Sequence, residues 1–245
     1  MKQERMVFAF LVALGFIALP VCYADEFKYQ VGQVWTYENR GGFTPAERNA
    51  TSTYTVSVLR KEKVGDKECW VLKEEYDRWR QSTREAYIAP DFSRVQEVLR
   101  VEGNDQAAIF DPPFEEPVFT LEVGEQQRKE HVVTRRIVSR GLELTKQTIT
   151  RTIMRFPDES VTVPAGTFES CIRVSEFQQS DVEMSGQKGK VVGSREYWWH
   201  PDTGMVKEMR RNRVLNADGK LLQEWQMEAV LKSIDSPNEE KKPKQ

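Results

Sequence analysis

Few side chains in this sequence are equipped for chemistry by type and spacing. The histidines are His131 and His200, and the cysteines are Cys22, Cys69 and Cys171. No histidine has a second one two or four residues away, so neither a zinc nor a copper site is expected. The patterns Gly-x-Ser-x-Gly and His-Glu-x-x-His do not occur, and no glycine run is suited to cradling a phosphate. No cofactor, metal or catalytic residue is therefore assigned. The carboxylates are many but intermixed with bases, and read as a solvated strand face. Arg135, Arg136, Arg140, Arg151 and Arg155 read likewise, as a charged strand surface that resists aggregation.

The aromatic residues offer more. Tyr197-Trp198-Trp199 places large rings on both faces of one extended segment, and Trp70, Trp79, Tyr87 and Trp225 add rings nearby. One face would fill a core while the other lines a concave surface suited to acyl chains or to an apolar segment of another protein. The candidate ligand-binding set is Trp198, Trp199, Tyr87, Trp70 and Trp225. The competing reading is that all of these rings pack inside a dry core.

The elements that must position these rings are strands. Tyr54, Val56 and Val58 alternate with Thr55, Ser57 and Leu59, and Trp225, Met227, Ala229 and Leu231 alternate with Gln226, Glu228 and Val230. A period of two marks half-buried β-structure. Residues 125–155 read as a long hairpin turning near Ser139-Arg140-Gly141, and Asn216-Ala217-Asp218-Gly219 reads as a second hairpin turn. A short helix at 44–48 is the one weak helical pattern. The proline-rich stretch 110–117 is expected to cross between two halves of the molecule, because each proline removes a ladder donor.

Lys2 and Arg5 precede an uncharged run, Met6–Val21, and then Ala24-Asp25. This is the pattern of a secretory signal peptide over residues 1–24. The run falls short of the roughly 20 residues of a comfortable span, so a permanent transmembrane anchor is not expected. Lipidation at Cys22 is the alternative. The remaining chain carries 34 basic and 37 acidic side chains, a balance that gives no global electrostatic reason to bind nucleic acid. Export, with the periplasm as destination, implies an oxidising compartment. The end, 236–245, lacks apolar residues other than proline and is expected to be disordered.

The segment Arg84–Arg100 lies over Arg195–Arg211 with seven of seventeen positions identical, and each is preceded by a glycine turn and a cysteine-led strand. This points to an internal duplication with halves at about 25–109 and 118–235, forming one domain. Cys69 and Cys171 are then either a disulfide pair, closing a loop of roughly 100 residues, or two separate buried thiols.

Three segments carry a resemblance. Val31-Gly32-Gln33-Val34-Trp35-Thr36-Tyr37, Val161-Thr162-Val163-Pro164-Ala165-Gly166-Thr167-Phe168 and Tyr197-Trp198-Trp199-His200-Pro201-Asp202-Thr203-Gly204-Met205-Val206-Lys207 resemble elements of uncharacterised exported bacterial β-proteins. Their architecture is similar to that of envelope lipoprotein carriers of the localisation-factor type, in which a curved antiparallel sheet holds acyl chains. The resemblance transfers no catalytic residue. The expectation is a mainly β protein with little helix, its strongly curved antiparallel sheet forming a half-barrel or open barrel. It would bind an apolar small molecule, a lipid or an envelope protein on an aromatic concave face. A fully packed interaction sheet is the alternative, and a carboxylate-dependent hydrolase is the third.

Overall fold

The computed structural model describes residues 27–42, 50–77, 82–101, 105–115, 120–138, 142–184 and 187–237. The expected signal peptide, the weak helix at 44–48, Trp79, Arg140 and the tail beyond 237 lie outside them. All regular structure among the described residues is β. The first half holds β1 (Val34–Gly42), β2 (Thr51–Val64), β3 (Lys67–Tyr76), β4 (Ser82–Ile88), β5 (Arg94–Val101) and β6 (Gln106–Phe114). The second holds β7 (Gln126–Ile137), β8 (Leu142–Val163), β9 (Gly166–Met184), β10 (Gln187–His200), β11 (Gly204–Asn216) and β12 (Leu221–Asp235).

Each strand pairs antiparallel with its sequence neighbours, and β1 pairs with β12 from Val34↔Asp235 to Gly42↔Gln226. The sheet is therefore a closed twelve-stranded barrel, not the half-barrel or open barrel expected from the pattern. Alternation reveals a buried face but not which distant strand completes the ring. Closure is written into matching terminal strands, with Tyr37 directly opposite Leu231 and both buried. A closed sheet has no unpaired edge.

Local chemistry sets the turns. Asn216 Oδ1 accepts the N–H of Asp218 at 3.1 Å and of Lys220 at 2.8 Å, while Gly219 takes φ +78°. The long hairpin expected over 125–155 is β7–β8. Of the stretch 110–117, expected to cross between halves, residues 110–114 lie inside β6. Phe110 and Asp111 pair with Val133 and Val132 of β7, while the β5–β6 register jumps from Gln96↔Ile109 to Arg94↔Phe114. Pro112 and Pro113 fall inside that gap, where no ladder donor is required.

β8 and β9 run beyond the barrel wall. Their register slips twice between Phe156 and Val161, and the end of β8 lies against β11 and β12. At its tip Ala165 donates to the carbonyl of Leu231 at 3.1 Å. Val161 and Val163 bury themselves in one cluster with Trp198, Val206 and Leu231. The Val-x-Val-Pro-Ala-Gly-Thr-Phe element is thus a flap whose alternate valines seal the wall. Elsewhere the outer face carries cross-strand charges, such as Lys207–Glu228 and Arg173–Glu196. A membrane-spanning barrel presents an apolar band there.

Cys69 and Cys171 are both free and buried, so the disulfide is not formed. Cys69 packs with Val71, Tyr87 and Ala89, whereas Cys171 belongs to the cluster around Trp198. Their strands, β3 and β9, are six steps apart either way around the ring. If the halves are related by a twofold axis, these cysteines lie away from it.

Candidate functional site

One end of the barrel is an aromatic chamber. Trp35 and Tyr37 on β1, Tyr54 on β2, Tyr76 on β3, and Tyr197 and Trp199 on β10 face into it. Tyr54 stacks between Tyr37, with ring centroids 4.9 Å apart, and Tyr76, at 5.0 Å. Two hydrogen bonds fix the frame over β12, from β1 to the start of β11: Trp35 Nε1 donates to the Thr203 carbonyl at 2.8 Å, and Tyr37 Oη to that of Met205 at 2.9 Å. All three segments that carry the sequence resemblance meet here, the flap from outside through Trp198 and the other two inside. Burial raises the Tyr37 and Tyr54 hydroxyls well above their usual pKa, so both stay neutral.

The segment preceding β1 closes the mouth. Phe27 makes edge-on contacts with Tyr29 at 5.0 Å and Trp199 at 5.1 Å, and Tyr29 continues to Trp70 at 5.7 Å. Gly204 permits this approach: its φ is +91°, and a Cβ there would lie 3.3 Å from the Phe27 ring. Phe92 completes the lid from the β4–β5 turn. Its backbone is left-handed at φ +60°, held by its own N–H on the Ala89 carbonyl at 2.9 Å. A non-glycine residue in that region carries local strain, offset here by burial of the ring. The space left among the rings is about 100 Å³.

Below the rings the barrel carries a belt of ion pairs in which Arg151, Glu176 and Glu208 are buried and the other members half-buried. Arg84 pairs with Glu74 and Glu97, and Arg94 with Glu97. Arg195 pairs with Glu176 and Glu208, Arg210 with Glu208, and Arg151 with both carboxylate oxygens of Glu176 at 2.7 and 3.0 Å. Burial by itself would raise the carboxyls. Arg84 and Arg94 around Glu97, Arg151 and Arg195 around Glu176, and Arg195 and Arg210 around Glu208 outweigh it and hold each at about 2. Past the belt lies a second hollow of about 330 Å³, bordered by arginines, Gln178, Asn212, Phe114 and Trp225. Arg94, Arg195 and Arg210 line both hollows.

The expected ligand set is divided by this geometry. Trp199 lines the aromatic chamber and Trp225 the inner hollow. Trp70 supports Tyr29 from the rim and lies beneath the Lys61 ammonium. Trp198 and Tyr87 occupy the opposite strand face from their inward neighbours. Trp198 donates to Glu159, lies under Arg173 and Lys207, and is covered by the flap. Tyr87 packs on Cys69. Period-two alternation forces the split, since Tyr197 and Trp199 point in and Trp198 cannot.

Arg151 is fully buried against Glu176 and Phe114, so part of the presumed solvated arginine surface is interior. Sequence reasoning missed the whole belt as well as Phe27, Tyr29, Phe92 and the three stacked tyrosines. One signal was available: Arg84, Glu97, Arg195 and Glu208 are identical positions in the two aligned segments, each on the parity of buried neighbours.

No protein-family model matches the chain, and no curated protein matches it. Two solved structures are similar. One is a protein named as exported, with a YmcC-like fold, from Bacteroides fragilis, at 13% identity and TM-score 0.43 over 86% of this chain and 98% of that one. The other is a protein named as a lipoprotein from Parabacteroides distasonis, at 15% identity and TM-score 0.43 over 85% of this chain and 97% of that one.

Proposed function

We propose that this is an exported, non-catalytic barrel that binds the apolar part of a small molecule or lipid in its aromatic chamber. The observation that carries the reading is a residual space walled by rings from β1, β2, β3 and β10 and closed by Phe27, Tyr29 and Phe92. An apolar cavity of ~150 Å³ stays dry and takes up benzene, so the space as found suits a single ring or a short alkyl group. A longer chain enters when Phe27 and Tyr29 withdraw from the mouth. The basic and apolar N-terminal run supports export. The matched belt residues of the two segments support a duplication.

The density of ring contacts favours a second reading, a fully packed barrel acting through its surface. The neutral probe N-phenyl-1-naphthylamine separates the two. Saturable fluorescence enhancement is expected with the chain from Asp25 onward, stronger in Phe27→Ala and abolished in Ala86→Phe, which fills the chamber. No enhancement in either wild type or Phe27→Ala would establish the packed barrel.

A further inference from the structure

We infer that Phe27-Lys28-Tyr29 is a built-in competitor for the chamber, and that ligand size decides whether it stays: a single ring binds beneath it, while a ligand of two or more rings expels it. The inference rests on the chamber reading above and adds the regulation of that site. Phe27 and Tyr29 both line the chamber, whereas Lys28 between them is exposed. The segment thus presents two rings inward and one charge outward, as a bound peptide would.

Aromatic rings seat this strap. Besides the edge-on contacts described above, the Phe27 centroid lies 6.0 Å from that of Phe92 and 6.3 Å from Trp35, and the Tyr29 centroid 5.9 Å from Phe92 and 6.0 Å from Trp35. Contacts of this kind are apolar and exchangeable, so a ligand ring can take the place of either side chain. Residues 27–30 belong to no strand, and the β1 ladder begins at Val34. The backbone is pinned just before it, where the Gln33 N–H bonds to the Gln30 carbonyl at 3.0 Å and the Gly32 N–H to that of Val58 at 2.8 Å. Everything on the N-terminal side of that pin can leave without breaking a ladder bond, which marks a segment of low local stability. Once displaced, the strap stays tethered beside the mouth and competes as an intramolecular ligand. It thereby lowers the apparent affinity of any molecule that must expel it. With the strap seated, the space among the rings is about 100 Å³, and a larger ligand has to gain the volume that Phe27 and Tyr29 occupy.

Limited trypsin digestion of the chain from Asp25 onward tests this, with mass spectrometry reading the loss of the fragment Asp25–Lys28. The bond after Lys28 lies between two seated rings and is expected to be cut slowly without ligand. Saturating benzene is expected to leave that rate unchanged, and N-phenyl-1-naphthylamine to raise it about tenfold, because cleavage follows the population of the open strap. Phe27→Ala is expected to raise it about tenfold with no ligand present. If its far-ultraviolet dichroism shows that it fails to fold, Phe27→Leu replaces it, with a severalfold rise. Probe that fluoresces in the chamber yet leaves cleavage unchanged would overturn the competitor while leaving the apolar chamber standing. Benzene accelerating cleavage as much as N-phenyl-1-naphthylamine would overturn the size threshold. Cleavage of the unliganded wild type as fast as that of Phe27→Ala would show that the Phe27 ring does not seat the strap, and would overturn the inference. Absence of probe fluorescence from both wild type and Phe27→Ala would overturn this inference and the proposed function together.

Discussion

Arg84 and Arg195 hold the same place on opposite sides of the ring. Arg84 lies directly across from Glu74 on β3 and reaches diagonally to Glu97 on β5; Arg195 lies directly across from Glu176 on β9 and reaches to Glu208 on β11. The strands β4 and β10 are six steps apart, half of the barrel. The correspondence extends to defects. The β4–β5 register slips between Tyr87 and Ile88, and the β10–β11 register between the aligned pair Trp198 and Trp199. The two turns also agree, with Phe92 N–H on the Ala89 carbonyl and Thr203 N–H on that of His200.

These triads predict a large asymmetry between interior and surface charge. Arg195→Gln leaves Glu208 with Arg210 alone and Glu176 with Arg151, and is expected to cost about 3–5 kcal/mol. Arg40→Ala, which breaks an exposed pair with Glu38, is expected to cost less than about 1 kcal/mol. Urea unfolding of the two variants checks the ranking, and equal midpoints would refute it.

Acid is expected to weaken the fold in two windows. The His131 ring is buried, with Nδ1 on the Pro112 carbonyl at 2.9 Å, and burial lowers its pKa from the usual 6.5. The unfolded chain therefore takes up that proton first, and stability starts to fall below about pH 6.5. Glu97, Glu176 and Glu208 sit at about 2 against an ordinary 4.5, so their contribution is complete above pH 4.5 and drains as the pH drops toward 2. Urea midpoints from pH 8 to pH 3 should decline in both ranges, with His131→Phe flattening only the upper one.

The thiols are expected to be inert in the folded protein. Burial raises the Cys69 pKa and brings Cys171 to about 11, which leaves little thiolate at neutral pH. In the chain from Asp25 onward a thiol reagent should label neither cysteine natively and both in urea, and reduction should leave the mass unchanged. A two-hydrogen gain on reduction would contradict the separation of β3 and β9.

Phe92 stores strain in exchange for a buried ring. Phe92→Gly relieves a left-handed backbone, worth roughly 1–2 kcal/mol, but removes an aromatic side chain that costs about 3–5 kcal/mol to truncate. A net loss of about 1–4 kcal/mol is expected, together with a change in tryptophan emission through Trp199, whose ring centroid lies 6.4 Å away. A stabilised variant would show that the ring contributes nothing to closing the mouth.

The strands were legible because Tyr54, Val58, Ala229 and Leu231 obey a period of two, and the hairpin at Asn216 because an Asn-x-Asp-Gly turn has few alternatives. The closed ring was not, since the pairing of Val34 with Asp235 depends on the other ten strands delivering them to the same place. Within the site, alternation alone could have separated Trp198 from Trp199 but could not say which one faces inward. The belt stayed hidden because Arg84 and Arg151 look like any solvated strand residue until a curved sheet turns that face toward other charges. Cys69 and Cys171 misled for the same reason, as equivalent positions on a ring need not adjoin.

The seam between β1 and β12 also sets a timetable. A chain delivered from its N-terminus offers β2 to β1 at once, but β1's other partner is the last strand to arrive. Until Leu221–Asp235 emerges, the stacked tyrosines have an open flank and the arginine belt is exposed to water. Closure is thus gated by delivery of β12, and a variant lacking only that strand would lose the interior as a whole.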